Sequence, residues 1–235
     1  VRAMLADAGL TEADLLNTPD LPYDEVERDT WVAAGRSARS LAQNCSGKHA
    51  AMLATCRVNG WDTATYLDPQ HPLQRAMVAT LEDLAGEPVA ATAVDGCGAP
   101  VMAVSLGGLS RAFGRVASAA DGTPEAEVAA AMRAHPELVG GTRRDVTALM
   151  RGTDGLVAKD GAESVYAVGL ADGRGLALKV ADGGQRARPV VLAAVLRRLG
   201  VASDAYGRLE DAPVLGHGDP VGAVVAVGLD AGTAG

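Results

Sequence analysis

Lysine is scarce in this chain. Of 21 basic residues only Lys48, Lys159 and Lys179 are lysines and the other 18 are arginines, so ordinary surface charge is written as arginine. Against that background a lysine is either compositional drift or a residue kept because an ammonium, unlike a guanidinium, can lose its proton and act as a base or metal ligand. Cysteine is scarce too. Cys45, Cys56 and Cys97 cannot all pair within one chain, and 235 residues fold without staples, so reduced thiols are expected. Positive charge is in deficit: the formal net charge of -8 argues against holding a polyanion, and no nucleic-acid partner is expected. No apolar run is long enough to cross a bilayer, and the N-terminus lacks the charged, then apolar, then small pattern of a secretory leader. No membrane partner and a cytoplasmic location are therefore expected. Internal repeats and low-complexity blocks are absent as well.

Hydrophobic side chains make up 48% of the sequence, enough to bury a substantial core in one large domain or two small ones. Residues 1–9 read as the end of an amphipathic helix whose beginning is missing, and Thr11 opens a short helix. A helical piece at 24–34 sits in a polar stretch broken by Pro19 and Pro22. Further helices are expected at 47–58, stopped by Asn59-Gly60, at 72–84 with proline in the first turn, at 101–117, at 124–134 capped by Thr123, and at 185–199. A β-run at 89–94 leads into a glycine-rich turn. Runs at 156–159, 164–170 and 176–181 suggest an antiparallel meander, with the last pair joined through Asp172-Gly173, and a final strand is expected at 222–229. The tail at 231–235 is expected to be flexible. The fold class is α/β, a mainly antiparallel sheet flanked by helices.

Asn44-Cys45-Ser46-Gly47-Lys48-His49 places a thiol, an amine and an imidazole where a helix begins. Lys48 and His49 lie three and four residues after Cys45, so all three project to one side if the helix starts early enough. Either the groups converge on a ligand, or the thiol is a small buried hydrophobe and the lysine a solvated charge. Asp95-Gly96-Cys97-Gly98 offers backbone that a ligand can approach closely, or a tight turn with a buried thiol. Two sulfurs and a nitrogen donor suit tetrahedral zinc with one vacant place, although the spacing is that of no standard finger. Cys56, two turns into its helix, reads as core. Lys159 and Lys179 interrupt apolar β-runs and call for a partner or for solvent. His71 reads as a loop or capping histidine.

Residues 44–49, the loop at 68–74, residues 95–100, 159–163 and 177–183 resemble, in order and spacing, the asparaginase II family of inducible rhizobial L-asparaginases. The resemblance implies a fold similar to serine β-lactamases and glutaminases, a homodimer, and hydrolysis of L-asparagine to L-aspartate and ammonia. It also implies that Cys45, Lys48 and Cys97 bind zinc that catalysis does not clearly require, and that His49, Asp95 and Gly96 line the substrate pocket. The family's nucleophile is the serine of a Ser-x-x-Lys pair, helped by a second Ser-Lys pair whose lysine matches Lys179. No Ser-x-x-Lys occurs in these 235 residues. Val1 aligns past both serine motifs, so the chain is expected to be a single asparaginase II-like domain, 1–235, lacking its N-terminal portion. Ser164 stands where the family usually has glycine, and Ala181 where it usually has an acidic residue. The rival expectations are a non-catalytic remnant that binds zinc or an amino acid, and a hydrolase of another amide such as glutamine.

Overall fold

A computed structural model describes residues 1–229, and the tail at 231–235 lies outside them. Two compact units divide the chain: residues 1–83 with 87–104, and residues 84–86 with those from 105 onward. The first carries α1 (Arg2–Asp7), a 3-10 turn (Glu12–Asp14), α2 (Glu25–Ala33), α3 (Ser46–Asn59), most of α4 (Pro72–Ala85) and a hairpin of β1 (Ala91–Val94) and β2 (Pro100–Ala103). Helix α3 ends where the sequence says it should, at Gly60 in the left-handed conformation (φ 67°). Its buried residues Ser46, His49, Ala50, Leu53 and Cys56 recur at helical spacing. Of these, Ala50, Leu53 and Cys56 form the core of this unit with Leu5, Leu15, Tyr66, Leu73, Cys97 and Ala99. Each fully buried leucine there contributes about 2 kcal/mol of transfer free energy.

The single helix expected at 101–117 is corrected. Residues 100–103 pair antiparallel with β1, from Ala91 opposite Ala103 to Val94 opposite Pro100, and helix begins only with α5 (Leu106–Ala117). Gly98, at φ 87°, turns the chain back on itself, and the Ser105 hydroxyl then fixes the helix start by accepting from Gly108 N–H at 2.9 Å. Helical composition across 101–117 is overridden by that local turn and cap.

The second unit continues with α6 (Pro124–Ala134), α7 (Pro136–Gly140), α8 (Asp145–Gly152), β3 (Val157–Asp160), β4 (Val165–Gly169), β5 (Gly175–Lys179), α9 (Arg188–Arg198), α10 (Tyr206–Glu210), β6 (Pro213–Gly216) and β7 (Asp219–Ala223). The expected meander is present, in order β3-β4-β5 and antiparallel throughout. Its register puts Ala158, Val168 and Leu176 abreast on one face, beside Tyr166 and Leu178. These residues pack with Leu149, Leu192 and Leu196 of α8 and α9. Small residues hold the other face, Gly169 opposite Gly175 and Ala167 opposite Ala177. A Cβ on Gly169 or Gly175 would collide with the backbone carbonyls of Phe113 or Ser110, so α5 lies against the strands themselves. This unit is therefore layered helix, sheet, helix.

Three further differences from the sequence reading have local causes. Residues 136–152 form α7 and α8, for which no element was expected, although Val146, Leu149 and Met150 carry helical spacing. Helix α9 begins at Arg188 rather than 185, because Gly183-Gly184 turns the chain and Pro189 sits in the first helical turn. The strand expected at 222–229 is instead the hairpin β6–β7, reversed at His217-Gly218 with both φ angles positive (55° and 92°), and 224–229 carry no strand. The fold class stands as mixed α/β with antiparallel pairing. The described residues form sheets of two, three and two strands rather than one main sheet.

Candidate functional site

Cys45 immediately precedes α3, and a polar scaffold holds it there. Its N–H donates to Gln43 Oε1 at 2.9 Å, and Asn17 Nδ2 donates to that same oxygen at 3.0 Å and to Ser40 O at 2.8 Å. Asn17 and Gln43 are both buried. Cys97 occupies the turn between β1 and β2. Asp95 N–H donates to Ala99 O, and Gly98 N–H donates back to Asp95 O, both at 2.8 Å. Thr18 anchors the outside of the turn, its hydroxyl on Gly96 O at 3.1 Å and its N–H on Cys97 O at 3.3 Å. Of the two glycines flanking Cys97 only Gly98 is required by its backbone, since Gly96 has ordinary φ and open space where a Cβ would stand.

Residues 45 and 48 thereby meet residues 95 and 97. Lys48 Nζ lies 3.2 Å from Asp95 Oδ2, and Cys97 Sγ donates to the same oxygen at 3.3 Å. Sγ of Cys45, a carboxylate oxygen of Asp95 and Sγ of Cys97 all lie within 4.8 Å of one another. Ligands of one tetrahedral ion with bonds of about 2.0–2.3 Å stand roughly 3.3–3.8 Å apart, so small side-chain movements bring these three onto one centre. Cys97 is buried, Cys45 partly so, and the Lys48 and Asp95 side chains are each 40% exposed. The group is reachable from solvent at Lys48, Asp95 and, in part, Cys45.

Its electrostatics follow from that placement. Burial pushes the Cys97 thiol up, and the hydrogen bond to Asp95 adds to this, against the Ala99 N–H and the Lys48 charge. Burial works to lower Lys48, but the two sulfurs and Asp95 outweigh it and raise the ammonium above its ordinary value. Burial likewise works to raise Asp95, yet its bonds from Cys97, Lys48 and Gly96 N–H hold the carboxyl below its ordinary value. Without an ion, Lys48 is thus a cation clamped on a carboxylate. An ion would compete with the protons on both sulfurs.

His49 is wholly buried in the first unit. Its Nδ1 lies 2.6 Å from Tyr66 Oη, the rings meet edge to face at 5.6 Å, and Tyr66 Oη accepts from Leu16 N–H at 3.1 Å. Burial, then the Lys48 charge, lowers His49 to about 4 against the opposing pull of Asp95, so the ring is neutral at pH 7. Its Nε2 has no hydrogen-bond partner among the described residues.

Cys45, Lys48, His49, Asp95, Gly96 and Cys97, all singled out from the sequence, belong to this one unit. Lys179 belongs to the other: it closes β5 on the face that carries Gly175 and Ala177, is exposed, and donates to Val180 O at 2.7 Å. Of the partner or solvent expected for Lys159, it has a carboxylate partner, Asp160 Oδ1 at 2.9 Å. Cys56 is core, with no exposure. His71 caps as expected: Leu73 N–H donates to its Nδ1 at 3.1 Å and its Nε2 is 2.9 Å from Asp62 O. Sequence reasoning missed the supports, Asn17, Gln43 and Tyr66, which sit in irregular segments with no periodic pattern. It also did not count the Asp95 carboxylate among the ion-binding groups.

No curated protein matches the chain in direct sequence comparison. The family model for L-asparaginase II, however, matches residues 1–226. That match spans both units and every residue of the cluster, and on this ground the chain belongs to the L-asparaginase II family.

Proposed function

We propose that this protein is an L-asparagine amidohydrolase, converting L-asparagine to L-aspartate and ammonia, and that the cluster around Lys48 forms the metal and substrate side of its site. The observation that carries the reading is the convergence of Cys45, Asp95 and Cys97 within 4.8 Å, beside Lys48 and His49, in a chain of this family. Two sulfurs and a carboxylate favour zinc over magnesium or calcium. Cys45 and Cys97 would hold the ion, with Asp95 as the oxygen donor and Lys48 next to it. When bound, zinc would supply a fixed positive charge that polarises or orients a carbonyl or carboxylate group. Asp95, Gly96 and His49 would meet the substrate on this side.

The attacking group in this reading is a serine of the family's Ser-x-x-Lys pair, activated by a neutral lysine. Lys179 would serve the second Ser-Lys pair. Kinship with the serine β-lactamase and glutaminase fold, a homodimer and a cytoplasmic location belong to the same proposal. Among the described residues no helix is long and apolar enough to cross a membrane.

Ammonia release from asparagine and from glutamine tests it. The 235-residue chain is expected to be nearly inactive, and a version extended at the N-terminus by a Ser-x-x-Lys segment to prefer asparagine. Equal turnover by both would move the nucleophile to Cys45 or Cys97. Zinc or aspartate binding by both with hydrolysis by neither would make the protein a non-catalytic binder, and preference for glutamine would change the substrate.

A further inference from the structure

Two of the three thiols share one small neighbourhood and the third does not. Sγ of Cys45 and Sγ of Cys97 lie within 4.8 Å of each other, whereas Cys56 is enclosed in the core on a later turn of α3. Cys45 is partly exposed and Cys97 is buried. Cys45 precedes the helix rather than lying inside it, and Cys97 follows Gly96, where an added Cβ would meet nothing within 4 Å. Closing the sulfurs to the roughly 2.05 Å of a disulfide therefore asks for side-chain rotation and a small shift of the turn, not for unfolding.

We propose that Cys45 and Cys97 form a peroxide-sensitive pair that closes into an intramolecular disulfide. The inference goes beyond the amidohydrolase reading and needs only the two sulfurs. Hydrogen peroxide is the oxidant. The Cys45 sulfur attacks one peroxide oxygen, the O–O bond breaks, water leaves and Cys45 becomes a sulfenic acid. The Cys97 sulfur then attacks that sulfur, the S–O bond breaks and a second water leaves. Two thiols and one peroxide yield one disulfide and two waters. The product loses the Cys97 bond to Asp95 and removes both sulfur donors from any ion, so oxidation and metal binding exclude each other.

Peroxide treatment of the full chain, followed by thiol titration under denaturing conditions, intact mass and peptide mapping, tests this. Titratable thiols should fall from three to one, with the mass lower by two hydrogens, a 45–97 link in the map, and full recovery with dithiothreitol. Cys97→Ser should retain a sulfenic adduct on Cys45 and give no internal link, while Cys56→Ser should link as wild type does. A link through Cys56, or a gain of two or three oxygens on Cys45 with no link, would overturn the proposal. Zinc at saturation should slow thiol loss about tenfold or more. Failure of zinc to protect would count against the metal reading and leave the disulfide to the peptide map, and neither result depends on ammonia release.

Discussion

Each unit of this protein gathers charged side chains, and the two gatherings are built on opposite principles. In the second unit Asp160, with a side chain 4% exposed, pairs with Arg144, with Arg188 at 2.9 Å and with Lys159 at 2.9 Å. Arg188, 3% exposed, also grips Asp145 at 3.0 and 3.1 Å and lies over the Tyr166 ring. This network ties β3 to the starts of α8 and α9, with Asp160 and Arg188 shielded from solvent at its centre and Lys159 exposed at its rim. In the first unit Lys48 and Asp95 are each 40% exposed, the sulfurs have lone pairs to spare, and His49 Nε2 has no partner among the described residues. Burial with many partners makes a brace. Exposure with unused ligand atoms leaves room for a ligand.

Removing one member should therefore hurt the brace far more than the site. Asp160→Asn leaves the buried Arg188 with Asp145 as its remaining carboxylate, and denaturant unfolding should show a loss of about 3 kcal/mol. Equal losses for Asp160→Asn and Asp95→Asn would erase the contrast. Cys97→Ala reverses the emphasis: zinc affinity, read by chelator competition, should fall on the order of 100-fold or more, since even outer-shell partners of a metal cost 10–100-fold.

Acid should separate the two further. Asp160 sits below its ordinary value, because Lys159 and Arg144 together outweigh the burial that works to raise it. The unfolded chain, with its aspartate near about 3.9, thus takes up a proton first as pH falls. The stabilisation from Asp160 is complete above that value and disappears as pH drops through the lower folded one. Unfolding followed from pH 6 to pH 2.5 should show wild type losing more stability than Asp160→Asn, and parallel curves would remove Asp160 from the acid response. The smallest effect belongs to Lys48→Met, where a half-exposed pair is worth about 0–1 kcal/mol. Thermal melts should barely move, although ligand binding should change.

How much of this could be read from the chain depends on how local the cause is. Helix α3, its stop at Gly60, and α6 with Thr123 and Pro124 at its start were legible because cap, proline and glycine act within four residues. The meander was legible through Asp172-Gly173. Pairing of residues 100–103 with β1 was not, because a run such as Val101-Met102-Ala103 accepts either helix or strand and the Gly98 turn decides. The hairpin β6–β7 escaped for a related reason: a histidine at positive φ is a weak turn signal in sequence. At the site, Cys45, Lys48, His49 and Cys97 stood out through residue type and setting, whereas Tyr66, Asn17 and Gln43 stood out only once their bonds were visible.

The sequence by itself determined the family and the mixed α/β class, and it singled out Cys45, Lys48, His49 and Cys97 by residue type and setting, since composition and short motifs carry those. Only the tertiary structure decided that Cys97 Sγ and a carboxylate oxygen of Asp95 stand within reach of Cys45 Sγ, and that Asp160 pairs with Arg188. The physical reason is that the reactivity of a thiol or carboxylate is set by burial and by neighbours from distant segments. Those neighbours are chosen by packing, which no local stretch of sequence encodes.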